Sequence, residues 1–108
     1  MRADDLQRLR DEVVAEIATL DQSLLSLFEA SRSSNADDEH DPEGTTIGYE
    51  RAQLTAVRDA ARRRLADLDD ALRRLDDGTY GICETCGATI SAGRLEARPI
   101  ATTCIDCA

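Results

Sequence analysis

Four cysteines carry the most specific chemistry in the chain. Cys83 and Cys86 form one C-x-x-C pair, Cys104 and Cys107 form a second, and 17 residues separate the pairs. This spacing is that of a tetrathiolate zinc site. Each C-x-x-C turn sets two sulfurs on one side of a knuckle. Two knuckles brought together complete a tetrahedron around Zn²⁺. Gly87 follows Cys86 directly and suits the tight first knuckle, because glycine adopts positive φ without steric cost. The expected cofactor is one structural zinc held by Cys83, Cys86, Cys104 and Cys107. Four thiolates leave no open position for an activated water, so the expectation is a protein that is not an enzyme. Two disulfides or free thiols are the other reading of the same residues. The charged start Met1-Arg2-Ala3-Asp4-Asp5 has no apolar stretch behind it and does not read as a secretory signal. Stable disulfides are therefore disfavoured, and a cytoplasmic location is expected.

A second cluster is acidic. Asp37-Asp38-Glu39-His40-Asp41-Pro42-Glu43 places five carboxylates in seven residues. One reading is a solvated loop whose Asp41 and Glu43 favour the start of a following helix. The other is an effector tip that carries Asp38, Asp41 and Glu43 into a basic or metal-containing cleft of a partner. His40 is the only histidine, and no Ser or Cys nucleophile lies convincingly beside it. It reads as a solvated loop residue.

Two long apolar stripes must position these groups. The first runs Leu6, Leu9, Val13, Ile17, Leu20, Leu24, Leu27, in steps of 3, 4, 4, 3, 4 and 3. The second runs Leu54, Val57, Ala61, Leu65, Leu68, Leu72, Leu75 with the same steps. Both have a helical period close to that of a coiled coil. The first predicts a helix from about Asp4 to about Ser31, roughly 40 Å long at 1.5 Å per residue. Ser31, Ser33, Ser34 and Asn35 then compete for the backbone and end it. The second predicts a helix that starts between Pro42 and Thr46 and ends near Asp77, with Gly78 as a left-handed C-cap. Neither stripe buries itself alone, so each is the natural cover for the other. Ser91 predicts the cap of a short helix through about Ala97, stopped by Pro99. The expected fold is mainly α. Residues 1–78 form a long antiparallel two-helix coiled-coil hairpin with an acidic tip at about 35–46. Residues 79–108 form a small four-cysteine zinc-finger module with a short helix.

The charge narrows the partners. The net charge is −9, and residues 35–50 hold six acids and no Lys or Arg. Residues 51–78 hold seven Arg against six acids, so no segment is strongly basic. Phosphate backbones would repel such a chain, and direct sequence-specific DNA binding is not expected. No apolar run approaches the ~20 residues needed to span a bilayer, so no membrane association is expected.

The hairpin, its acidic turn and three C-terminal strings together resemble the DksA/TraR family of bacterial transcription regulators. The strings are Gly81-Ile82-Cys83-Glu84-Thr85-Cys86-Gly87, Arg94-Leu95-Glu96-Ala97-Arg98-Pro99 and Cys104-Ile105-Asp106-Cys107. The resemblance covers essentially the whole chain. It implies action on RNA polymerase rather than on DNA. The hairpin would enter the secondary channel, and tip acids would alter promoter complexes or nucleotide addition. The family tip reads D-x-x-D-x-A. Asp38 and Asp41 fall on its two Asp positions, and Glu43 stands in place of Ala. Family members also bind the alarmone guanosine tetraphosphate through basic residues on the second helix and after the last cysteine. Here Asp67 and Ala108 occupy those positions, and only Arg98 keeps a matching Arg as a residual alarmone contact. An anion facing Asp67 meets repulsion in place of attraction, so weak or absent alarmone binding is expected.

Other functions fit parts of the same pattern. A zinc-anchored protein-interaction adapter would use the side of the hairpin. A thiol and zinc redox sensor would release metal on oxidation. A DNA-binding zinc ribbon needs a basic face that the charge distribution does not supply.

Overall fold

The computed structural model describes residues 2–34 and 42–108, and the side chains of residues 2–32 and 46–108. Three helices account for most of them: α1 (Ala3–Ser34), α2 (Pro42–Asp77) and α3 (Ala92–Ala97). Among the described residues the only β-structure is an isolated antiparallel bridge between Ile82 and Thr89. The expected mainly α fold with two long helices is therefore found.

Local signals explain the helix ends. Asp4 and Asp5 lie in the first turn of α1, where carboxylates complement the helix dipole. Asp5 also accepts a hydrogen bond from the Arg2 backbone N–H at 3.2 Å, one half of a capping box. Helix α1 runs to Ser34, past the expected end at Ser31, with Arg32 in its last turn beside the negative end of the dipole. Helix α2 ends in a Schellman motif. The Thr79 N–H donates to the Arg74 carbonyl at 2.8 Å and the Gly78 N–H donates to the Leu75 carbonyl at 3.3 Å. Gly78 takes φ +78°, the left-handed conformation that this motif requires.

The chain divides into two compact units, Met1–Glu12 with Arg64–Ala108, and Val13–Arg63. In the first, Leu6, Leu68 and Ala71 are buried along the helices. Arg10 of α1 pairs there with Asp69 of α2. The same unit holds a second apolar cluster of Cys83, Ile90 and Leu95, with Tyr80, Ala101, Cys104 and Cys107 packed against it.

In the second unit Val13 and Ala61 are buried, and Ile17, Leu20, Leu24, Leu27 and Leu54 are half-buried. Here Asp21 of α1 accepts from Arg58 of α2 at 3.4 Å. The stripe on α2 differs from expectation at one position. Val57 is 48% exposed, whereas the Arg58 side chain is only 25% exposed. With Arg58 in place of Val57 the inner face reads 54, 58, 61, 65, 68, 72, 75, a regular alternation of four and three. The Arg58 side chain is partly buried while its guanidinium reaches Asp21.

Candidate metal centre

The C-terminal module is built on two knuckles. In the first, the Gly87 N–H donates to the Cys83 carbonyl at 2.9 Å and the Cys83 N–H donates to the Ala88 carbonyl at 2.8 Å. Gly87 has φ +76°, as expected from its place after Cys86. The second knuckle closes with the Cys107 N–H on the Cys104 carbonyl at 3.1 Å. Main-chain and side-chain bonds tie one knuckle to the other. The Glu84 N–H donates to the Thr102 carbonyl at 2.9 Å, and Thr102 Oγ1 donates to Glu84 Oε1 at 3.3 Å.

Helix α3 spans the gap between the cysteine pairs. Ser91 caps it, its Oγ accepting from the Arg94 N–H at 3.2 Å, as the sequence predicts. Arg94 in turn donates from Nε to the Thr103 carbonyl at 2.9 Å, directly before Cys104. The Tyr80 hydroxyl donates to the Pro99 carbonyl at 2.9 Å. The spacing of the cysteines gives no sign of Tyr80 or Arg94 as braces, although Arg94 lies within the Arg94–Pro99 string.

These bonds bring the four cysteines together. Their sulfurs all lie within 4.8 Å of one another, and Cys86 Sγ is 3.7 Å from Cys104 Sγ. A disulfide needs about 2.05 Å. A zinc tetrahedron with bonds of about 2.3 Å has edges of about 3.8 Å, which the observed separation fits. The thiols are chemically unequal. Hydrogen bonds from the backbone of Cys104, then of Cys86, pull the Cys83 thiol down to about 6. Side-chain hydrogen bonding with Cys104, then with Cys86 and Cys83, pushes the Cys107 thiol up to about 12. Four crowded sulfurs cannot all ionise unless a cation offsets the charge. A divalent ion that prefers sulfur supplies that offset.

Residues 78–108 match the prokaryotic DksA/TraR C4-type zinc finger. Over 57 residues, 53% of this chain, the sequence is 46% identical to the RNA polymerase-binding transcription factor DksA of Caulobacter vibrioides (strain NA1000 / CB15N). Over 50 residues it is 44% identical to the protein of the same name from Escherichia coli (strain K12). The structure of transcription factor DksA2 from Pseudomonas aeruginosa superposes with a TM-score of 0.82 at 31% identity, covering 97% of this chain and 75% of that one. The chain belongs to the DksA/TraR family. Its matched stretch spans 40% of the Caulobacter relative and 33% of the Escherichia one. As a DksA/TraR C4 module, the cysteine cluster carries one structural zinc.

Asp38 and Asp41 lie outside the described residues, as do His40 and the side chain of Glu43. Arg98 is exposed at the C-cap of α3, its N–H donating to the Arg94 carbonyl at 2.7 Å. Asp67 is exposed on α2. Among the described residues no helix is long and apolar enough to cross a membrane.

Proposed function

We propose that this DksA/TraR family member is a bacterial transcription regulator that binds RNA polymerase. The likeness to DksA2 over 97% of the chain carries this reading. Two relatives support it, since the Caulobacter and Escherichia proteins are RNA polymerase-binding transcription factors by name. On this reading residues 1–78 enter the secondary channel as a hairpin. Asp38, Asp41 and Glu43 act at the tip on promoter complexes or initiation. Residues 79–108 form a base, with Cys83, Cys86, Cys104 and Cys107 as the zinc ligands. Zinc there is structural, because a closed thiolate set offers no site for substrate or water. The net charge of −9 favours a basic channel over DNA. Guanosine tetraphosphate binds weakly or not at all, since exposed Asp67 repels it and Arg98 alone attracts it.

The test compares the intact zinc-loaded protein with an Asp38→Asn/Asp41→Asn double variant for binding to purified core polymerase and for effect in single-round transcription. Binding by both, with only the intact protein altering transcription, is the expected result. Absence of binding by the intact protein sets the polymerase reading aside and favours an adapter for another protein. Labelled alarmone that binds the polymerase complex tightly, and is lost with Arg98→Ala, would show that Arg98 outweighs Asp67.

A further inference from the structure

Tyr80 lies between the end of α2 and the second cysteine pair, and it is held at both ends. Its backbone N–H donates to the Arg74 carbonyl at 3.1 Å. The Arg74 guanidinium carbon sits 6.0 Å from the centre of its ring, within reach of a cation–π contact. Arg74 Nη2 is buried without a hydrogen-bond partner, so the ring face is a favourable neighbour for that charge. At the far end the hydroxyl donates to the Pro99 carbonyl at 2.9 Å. Pro99 opens the segment that leads to Cys104. The ring packs against the Cys83, Ile90 and Leu95 cluster, against which Cys104 and Cys107 also pack.

We propose that Tyr80 is a positioning residue that couples zinc retention to order in the last turn of α2. The second knuckle is anchored by main-chain bonds to the first and by Arg94 to α3. Among these braces, the Tyr80 hydroxyl is the one carried on a residue bonded directly to the α2 terminus. Loosening the second knuckle releases Pro99, and release of Pro99 frees the ring that covers Arg74. The same path runs in reverse when the α2 terminus frays. This inference rests on the zinc assignment and is independent of the polymerase reading.

Tyr80→Phe is the decisive variant, because it keeps the ring and removes only the hydroxyl. Tyr49→Phe is the control, as Tyr49 is an exposed tyrosine of the other unit. Both are loaded with one zinc. Zinc release to a coloured chelator and amide exchange across residues 72–80 are then followed, neither of which needs polymerase. Cobalt substitution reports whether the tetrathiolate ligand set is intact. For Tyr80→Phe the cobalt spectrum should be unchanged. Zinc release and exchange at the α2 end should both accelerate by roughly two- to tenfold, the range for one neutral hydrogen bond. Tyr49→Phe should change neither. If Tyr80→Phe leaves both rates alone, the hydroxyl has no positioning role. If zinc release quickens while α2 exchange stays fixed, the bond is local to the knuckle and the coupling is refuted.

Discussion

Arg94 donates from Nε to the Thr103 carbonyl at 2.9 Å, and so joins α3 to the residue immediately before Cys104. The bond is partly buried, and its donor is charged. Removing the donor leaves a partly buried carbonyl without its charged partner. Arg94→Ala should therefore destabilise the zinc-loaded protein by about 1–3 kcal/mol. Arg94→Lys should recover only part of this, because an ammonium at the end of a flexible stem does not reproduce the Nε direction. Thermal unfolding in the presence of zinc reads both variants. Equal melting of Arg94→Ala and the parent protein would show that solvent replaces the bond at no cost.

Two glycines at similar φ should respond differently to a methyl group. Gly78 has φ +78°, and a Cβ there meets nothing within 4 Å. Gly81 has φ +81°, and a Cβ there comes within 3.3 Å of Leu95 Cδ1. Leu95 belongs to the buried cluster, so it has little room to retreat. Gly78→Ala should cost about 1–2 kcal/mol, from backbone strain alone. Gly81→Ala should cost roughly 1–3 kcal/mol more, from overpacking added to the same strain. Denaturant midpoints at constant zinc measure the difference. The reverse ranking would mean that Leu95 repacks freely.

The ends of α3 and the end of α2 are legible in the sequence because their signals are local, whereas α1 runs past Ser31 to Ser34. Ser91 and Pro99 bracket α3, and Gly78 marks the end of α2, each acting within a few residues of itself. The cysteine quartet is legible for a related reason, since its spacing alone limits what four sulfurs can do together. Val57 and Arg58 exchange the inner and outer places that hydropathy predicts. Hydropathy ranks valine above arginine, but the partner that draws Arg58 inward is Asp21, 37 positions away. Tyr80 and Arg94 leave no comparable signal, because their acceptors are main-chain carbonyls of Pro99 and Thr103. Every residue has such an oxygen, so no residue pattern records which one is used.

Zinc binding should release protons, with a steep dependence on pH. Backbone hydrogen bonds lower the Cys83 thiol, so it gives up its proton more readily than Cys107. Cys107 lies at about 12, so near pH 7.5 it is a thiol and must lose its proton to become a ligand. Each proton displaced makes the apparent affinity rise with pH. Affinity should therefore fall as pH drops from 7.5. Titration of metal-free protein with zinc in weak buffer, with a pH indicator, counts the protons. Zinc uptake with no proton release at pH 7.5 would contradict a tetrathiolate site.

Ion pairs near α2 and α1 should differ in worth because their cations differ in burial. Asp70 accepts from Arg73 and, at 3.1 Å, from Nε of Arg74, whose side chain is only 11% exposed. The hydrogen bond from Arg73, joined by the charges of Arg73 and Arg74, holds the Asp70 carboxyl below its usual range. Its folded-state pKa is lowered, so its contribution is present above the ordinary carboxylate pKa. That contribution is lost as pH falls through the lowered value. Asp70→Asn leaves the Arg74 charge beside a neutral amide, but Asp70 is itself 43% exposed and screened by solvent, so the cost should be about 0.5–1.5 kcal/mol at pH 7. Asp5 pairs instead with Arg8, which is 67% exposed. To keep the capping bond out of the comparison, the matching change is Arg8→Gln, which should cost under about 1 kcal/mol. Stability measured from pH 7 down to pH 2 should show the Asp70→Asn deficit shrinking with acid. A deficit that persists unchanged to pH 2 would place the cost in packing rather than in charge.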